Sequence, residues 1–288
     1  MKKILLATTA LVLSAGIASA NDAVKLSGTA WMGLRYANNV APGANKASFV
    51  SRARVKFTMS GQTDTGLAFG ASFEAHNSVA ATAEAANSGS SVFISGAFGK
   101  LSMGDVDSAL EATWFRTRHI GVLENSGGSR TTALGSSKTA ALYEYSMDGL
   151  KVALGAGQVG SKDFSLGVQY KVDGYGVAVG YEKTAASKHI LLSAEGSFDA
   201  TSVRAFAGRR TTGAVKANQY GLDVHTKFDA IGIQFRAKRD FAKETHLGLG
   251  ATYDLGGGAM FGASINQVKP SGAGAAVRTA DVGVSFKF

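Results

Sequence analysis

Leu150-Lys151-Val152-Ala153-Leu154-Gly155-Ala156, Phe164-Ser165-Leu166-Gly167-Val168-Gln169-Tyr170-Lys171 and Tyr175-Gly176-Val177-Ala178-Val179-Gly180-Tyr181-Glu182 decide the fold. In each run a large apolar residue alternates with a small, polar or charged one. Period two is the signature of a β-strand with two unlike faces. The same pattern recurs at 203–210, 219–228, 231–238, 246–253, 259–266 and 278–288. No stretch after residue 20 approaches the roughly 18 unbroken apolar residues of a membrane-spanning helix.

The connections between runs differ in kind. Gln62 to Gly66, Met147 to Gly149, Val172 to Gly174, Asp199 to Thr201, Asp229 to Ala230 and Asp254 to Gly258 are short and rich in Asp and Gly, as tight turns require. Between them come connections of more variable length at 37–47, 78–89, 105–138 and 268–276, and both prolines, Pro42 and Pro270, fall in these. Short turns on one rim and longer loops on the other predict an all-β, antiparallel, up-and-down transmembrane β-barrel. About sixteen strands fit the length, with both termini on the short-turn rim.

Composition agrees with a barrel and narrows the chemistry. Glycine supplies 37 of 288 residues, which is costly in helices but harmless on a face that lines water. Hydrophobic residues make up 45% and charged residues 18%, which excludes a disordered chain. Zero cysteine excludes disulfides, thiolate metal sites and a thiol nucleophile. Residues 1–20 run from Lys2-Lys3 through an apolar stretch to Ala18-Ser19-Ala20 and read as a cleaved secretory signal peptide, leaving 21–288 as the barrel. Removing Lys2 and Lys3 takes the formal charge from +9 to +7. An exported chain argues against nucleic acid as the partner of that charge.

Which face meets lipid follows from the alternation. Aromatics cluster near strand ends at Tyr36, Phe98, Tyr170, Tyr175, Tyr181, Phe198, Phe228, Tyr253 and Phe288, as interfacial girdles do. The other face is mostly Gly, Ala, Ser, Gln and charge, which packs no core but lines water. With Ala53, Val55 and Phe57 toward lipid, Arg52, Arg54 and Lys56 face the lumen, as does Arg35 on the first strand. Lys151, Arg204, Arg236 and Lys238 also fall on inward positions. A charge facing lipid at mid-depth would cost about 2–4 kcal/mol.

Several motifs carry no chemistry. Gly155-Ala156-Gly157-Gln158-Val159-Gly160 matches a dinucleotide fingerprint, but a strand rather than a helix follows it. His76, His119, His189, His225 and His246 are scattered, and no nucleophile elbow exists, so catalysis is not expected. The 105–138 connection is too long for an ordinary hairpin. It carries Asp105, Asp107, Glu111 and Glu124 together with Arg116, Arg118, His119 and Arg130.

The Phe98-Gly99 turn feeding Gly104-Asp105-Val106-Asp107-Ser108-Ala109, the strand Arg52-Ala53-Arg54-Val55-Lys56-Phe57 and the ending Ala280 to Phe288 resemble the general-diffusion porins of Gram-negative outer membranes, in their alphaproteobacterial branch. That resemblance implies a sixteen-stranded homotrimeric barrel, set among outer-membrane lipid and lipopolysaccharide and open to small hydrophilic solutes. It implies that 105–138 is the third loop, folded into the barrel to narrow it, with Asp105, Asp107 and Glu111 as an acidic rim. Arg35, Arg52, Arg54 and Lys56 would form the basic side. Many relatives carry Arg just after the glycine corresponding to Gly104, where this chain has Asp105. Some relatives bind calcium through such carboxylates; here the nearby arginines argue against it, and no cofactor is expected. Inward aromatics are few, Trp31 and Phe206, so an unspecific pore is favoured over a sugar channel with a stacking track. A barrel hydrolase or adhesin is the more distant alternative. The charges admit two readings, solvated wall charges without selectivity or a basic half-ring giving a modest anion preference.

Overall fold

The computed structural model describes residues 24–79, 86–123 and 140–288. The proposed leader at 1–20 lies outside the described residues, as does the long connection beyond Leu123, including Glu124 and Arg130. Sixteen strands follow in chain order: β1 (Val24–Ala37), β2 (Ala47–Gln62), β3 (Ala68–Val79), β4 (Ala86–Gly96), β5 (Gly99–Gly104), β6 (Ala140–Met147), β7 (Leu150–Ala156) and β8 (Phe164–Val172). The second half comprises β9 (Tyr175–Lys183), β10 (Ser187–Phe198), β11 (Thr201–Thr212), β12 (Val215–Phe228), β13 (Ile231–Arg239), β14 (Thr245–Gly256), β15 (Ala259–Lys269) and β16 (Val277–Lys287). Among the described residues one single-turn helix, α1 (Ala109–Thr113), interrupts them.

Every strand pairs antiparallel with its chain neighbour, and β1 pairs with β16, so the sheet closes without an edge. Closure matters in lipid, where an unpaired backbone amide has no water to turn to. The final residue completes the seam: the Phe288 amide donates to the Gly28 carbonyl at 3.0 Å and the Gly28 amide to the Phe288 carbonyl at 3.2 Å. Sixteen strands at a spacing of about 4.8 Å and a tilt of about 40° enclose a barrel roughly 30 Å across, backbone to backbone.

The short Asp- and Gly-rich turns read from the sequence all lie on one rim, which also holds Val24 and Phe288. Asp148-Gly149 and Asp173-Gly174 have positive φ at both positions, the two-residue hairpin turn whose twist matches the strands. The opposite rim is less uniform than the sequence suggests. It holds the long connections, yet β9–β10 and β11–β12 are joined there by only 184–186 and 213–214.

The alternation sorts as expected. Leu166, Tyr170, Val177, Val179, Ile190 and Leu192 are exposed on the outer face, while Ser165, Glu182, His189, Ser193 and Gln219 are buried on the inner one. An exposed apolar exterior around a buried polar interior inverts the soluble pattern and fits lipid outside and water within.

Candidate functional site

The inner wall is organised around residues 105–123. This segment leaves β5 at Gly104, whose φ is +117°, and turns into the lumen. The Asp105 amide donates to the Ser90 carbonyl at 2.8 Å, and its carboxylate accepts the Gly89 amide at 3.2 Å. Ser108 caps α1 by accepting the Glu111 amide at 3.2 Å and donates its hydroxyl to the Glu182 carboxylate. α1 lies directly on the glycine face of β8 and β9. A Cβ on Gly167 would fall 2.2 Å from the Ala109 carbonyl oxygen, and one on Gly180 would fall 2.6 Å from Leu110 Cγ. Those inward glycines therefore make room for a helix.

Past α1 the chain runs extended along the wall. Phe115 covers Gly176 of β9, Ile120 covers Gly248 and Gly250 of β14, and Val122 covers Gly262 of β15. Leu123 packs with Trp31 of β1 and Val50 of β2. The segment thus follows the interior from β7 past β16 to β1 and β2, as a belt rather than a plug.

A buried backbone must find partners for its amides and carbonyls. Wall side chains supply them in turn. Ser165, Ser193, Asp223 and Gln234 accept the amides of Ala109, Phe115, Arg118 and Gly121 at 2.8–3.0 Å. Lys151, Gln169, Arg204 and Arg236 donate to the carbonyls of Ala112, Thr113, Arg116 and Arg118 at 2.6–3.0 Å. Three of those four donors are cations that the alternation places in the lumen; their first task is to hold the belt.

Charges knit the same region together. Glu195 receives Lys171 at 2.7 Å and Arg204 at 2.5 Å, with Arg118 at 3.8 Å. Arg118 also meets Asp223 at 2.8 Å. Burial first, and then the neighbouring Arg204, pull the Arg118 guanidinium below its ordinary pKa against the opposing pull of Asp223 and Glu195. A guanidinium remains charged through such a shift.

The anticipated site residues fall in two places. Arg35 on β1 stands opposite Asp281 of β16 in the strand register. Arg52, Arg54 and Lys56 share the inner face of β2 with Val50; Arg54 reaches Glu74 of β3 at 3.5 Å, and Lys56 pairs with the same residue in register. Asp105 and Asp107 follow β5, whereas Glu111 lies on α1 against β7, β8 and β9, on a different stretch of wall from β2. Asp105 is engaged with the Gly89 amide, Glu111 meets Arg116 of its own loop at 3.4 Å, and Asp107 is exposed.

Sequence reasoning missed Glu182, Glu195, Asp223, Gln169 and Gln234 as anchors. Their inward parity was the available signal, but not what they would meet. It also missed Phe93, an inward aromatic on β4 with the Lys100 ammonium 4.7 Å from its ring centre. Trp31 and Phe206, the inward aromatics read from sequence, are both buried, Phe206 against Trp114 in an edge-on contact at 5.6 Å.

Among the described residues one group could hold a cation: Asp240, Glu244 and His246, whose donor atoms lie within 4.8 Å of one another. The β13–β14 turn already uses them. Asp240 accepts the amides of Ala242 and Glu244 at 2.9 and 3.0 Å and meets His246 Nε2 at 2.9 Å. Burial alone would raise its carboxyl, but these hydrogen bonds hold it below its ordinary value.

A closed sixteen-stranded barrel, apolar outside and polar within, with a belt laid along its inner wall, defines a channel-forming outer-membrane protein. A family model described as Gram-negative porin matches residues 7–284. The chain is 36% identical to a porin of Rhodobacter capsulatus, over 92% of this chain and all of that one. Among solved structures, a porin refined at 1.8 Å is 31% identical with a TM-score of 0.74, covering 92% of this chain and all of that one. A Rh. blastica porin variant, at 21% identity, gives a TM-score of 0.77 over the same shares and speaks for the fold alone. The chain belongs to the Gram-negative porin family and is a general-diffusion porin of the outer membrane.

Proposed function

We propose that this porin is a passive, mildly anion-preferring channel whose 105–138 connection sets the constriction. The observation that carries this reading is the alternating clamp on residues 109–121, which fixes a loop across a water-lined wall where no free loop would stay. An extended segment with its side chains takes about 10 Å from a barrel roughly 30 Å across. Solutes are then sorted by size at the belt and by charge along Arg35, Arg52, Arg54 and Lys56, with Asp105, Asp107 and Glu111 opposing them. Glu74 pairs with Arg54 and Glu195 with Lys171 and Arg204, and each pair offsets itself, which keeps the preference modest.

No catalytic step, cofactor or metal is part of this function. The commitments of Asp105 to the Gly89 amide and of Glu111 to Arg116 leave a poor calcium ligand set. A substrate-specific sugar channel is disfavoured because Trp31 and Phe206 are covered by Leu123 and Trp114 rather than open to a passing ring. A cleaved leader at 1–20, a homotrimer and contact with lipopolysaccharide complete the reading, as the resemblance to porins implies.

The test is the zero-current potential across a salt gradient, for wild type and for Arg54→Gln/Lys56→Gln. At about 8 Å in water a unit charge is worth roughly 0.5 kcal/mol to an ion, about twofold in its population. Physiological salt screens over a similar length of about 8 Å. The double variant is expected to shift permeability a few-fold toward cations, most in dilute salt. An unchanged potential would remove these residues from the selective region.

A further inference from the structure

Beyond the belt, toward the loop rim, the inner wall carries a cation that the clamp does not use. Arg210 is third from the loop-rim end of β11 and shares the inward face of that strand with Arg204 and Phe206. It lies six residues past Arg204, about 20 Å farther along the strand. Its guanidinium carbon sits 4.4 Å from the ring centre of Phe241. Phe241 belongs to the β13–β14 turn, yet it is only 8% exposed, because it reaches inward to the wall. Its ring meets His189 of β10 edge-on at 5.2 Å. His189 is itself buried and is the partner of Arg210 in the β10–β11 register.

The turn that delivers Phe241 is pinned. The Asp240 amide donates to the Glu244 carbonyl at 3.1 Å, the Lys243 amide to the Asp240 carbonyl at 3.0 Å, and the Asp240 carboxylate meets His246 at 2.9 Å. The ring is thus a fixed floor. A guanidinium over an aromatic face is attracted to the ring and keeps its N–H edges free for other partners. The acids around Arg210 are engaged elsewhere. Glu182 accepts the Ser108 hydroxyl and faces His189 at 3.6 Å, while Asp240 and Glu244 group with His246. Among the described residues no carboxylate or carbonyl receives the Arg210 N–H groups, whereas Lys151, Arg204 and Arg236 spend theirs on the belt. Arg210 is only half-buried, so its free edges meet the water of the loop-side vestibule.

We propose that Arg210, seated on Phe241, is a capture station for small oxyanions in the vestibule ahead of the belt. A guanidinium fork matches two oxygens of one carboxylate or phosphate in a bidentate pair, which a chloride ion cannot form. The station therefore selects carboxylates and phosphates over halides of like charge. It rests on the anion-preferring channel reading and names the solute class of that channel.

The test follows the Arg210 Nε–H magnetic resonance of the folded porin in detergent, isotopically labelled at arginine, with Arg210→Lys identifying that signal by its loss. Potassium acetate, potassium phosphate and potassium chloride are titrated in turn at matched ionic strength. Acetate and phosphate are expected to shift the Arg210 signal saturably, with at least tenfold higher affinity than chloride. Saturation by one of the two alone supports the station and narrows its class to that oxyanion. Phe241→Leu keeps an apolar side chain but removes the ring face, and should weaken oxyanion binding at least threefold. Lys216→Gln removes an outward cation near the same rim and should bind as the wild type does. In a planar bilayer, the oxyanion that binds, added to dilute potassium chloride, should move the zero-current potential toward cations over the same concentration range. Arg210→Lys should lose that saturable movement, since an ammonium lacks the fork. Chloride binding as tightly as both oxyanions, unweakened binding in Phe241→Leu, or a saturable movement that survives Arg210→Lys would overturn the proposal. If Phe241→Leu does not fold, the wild-type comparison of oxyanions with chloride decides alone. A wild type that prefers cations in chloride alone, with oxyanion binding at Arg210 intact, would instead overturn the anion-preferring reading.

Discussion

Replacing Asp223 with Ala isolates the belt from the barrel. The carboxylate is 1% exposed, accepts both the Arg118 amide and the Arg118 guanidinium at 2.8 Å, and stands opposite Arg204 and Arg236 in register. A hydrogen bond to a charged group contributes about 1.5–3 kcal/mol. The guanidinium is partly exposed and water replaces its bond, so the amide bond accounts for most of the loss, about 2 kcal/mol. At 1.4 kcal/mol per factor of ten this is roughly a 30-fold rise in local opening around Arg118. Arg236 on the Arg118 carbonyl and Gln234 on the Gly121 amide keep the rest of the belt in place. The assay is hydrogen exchange at the Arg118 amide in folded, heat-modifiable protein, paired with single-channel recording. Exchange about 30-fold faster, noisier open-channel current and a shift toward anions are expected. Asp223→Asn keeps an acceptor for the amide and should lie between. Wild-type exchange and current in the Ala variant would mean that the clamp does not hold the belt.

Two further outcomes follow from the same geometry. Deleting Phe288 removes both hydrogen bonds to Gly28 and one girdle ring, so the yield of heat-modifiable folded barrel should fall far more than on deleting Gly272 from the β15–β16 loop; equal yields would refute a sealing role. Because the Asp240 carboxyl is held below its ordinary value, its contribution to the β13–β14 turn is fully present above about pH 4 and is lost as pH falls through the lower folded value. Exchange at the Ala242 and Glu244 amides, corrected for intrinsic rates, should rise in that acid range, and Asp240→Asn should abolish the pH dependence.

The barrel was legible because lipid imposes one rule on every strand. A run such as Tyr175 to Glu182 must present Tyr, Val, Val and Tyr outward and Gly, Ala, Gly and Glu inward, and nothing in the tertiary fold overrides it. The short Asp-Gly turns announced the rim for a local reason, the positive φ that they need. The belt was not legible. Its residues 114–123 have no amphipathic period, because their backbone groups are served by side chains of several successive strands, from Ser193 on β10 to Gln234 on β13. Gly167 and Gly180 read equally well as water-lining positions or as a seat for α1, and only the approach of Ala109 and Leu110 separates the two. The acidic residues Asp105 and Glu111 could be read from the sequence as loop charges, but their partners, the Gly89 amide and Arg116, come from folding and not from charge pattern.

The central claim is an open, water-filled lumen narrowed by the belt, and the purified protein in a planar bilayer tests it most directly. Stepwise insertions should give an ohmic conductance that scales with bulk salt conductivity. Folded, inserted protein that passes no current, or a conductance independent of salt, would contradict it.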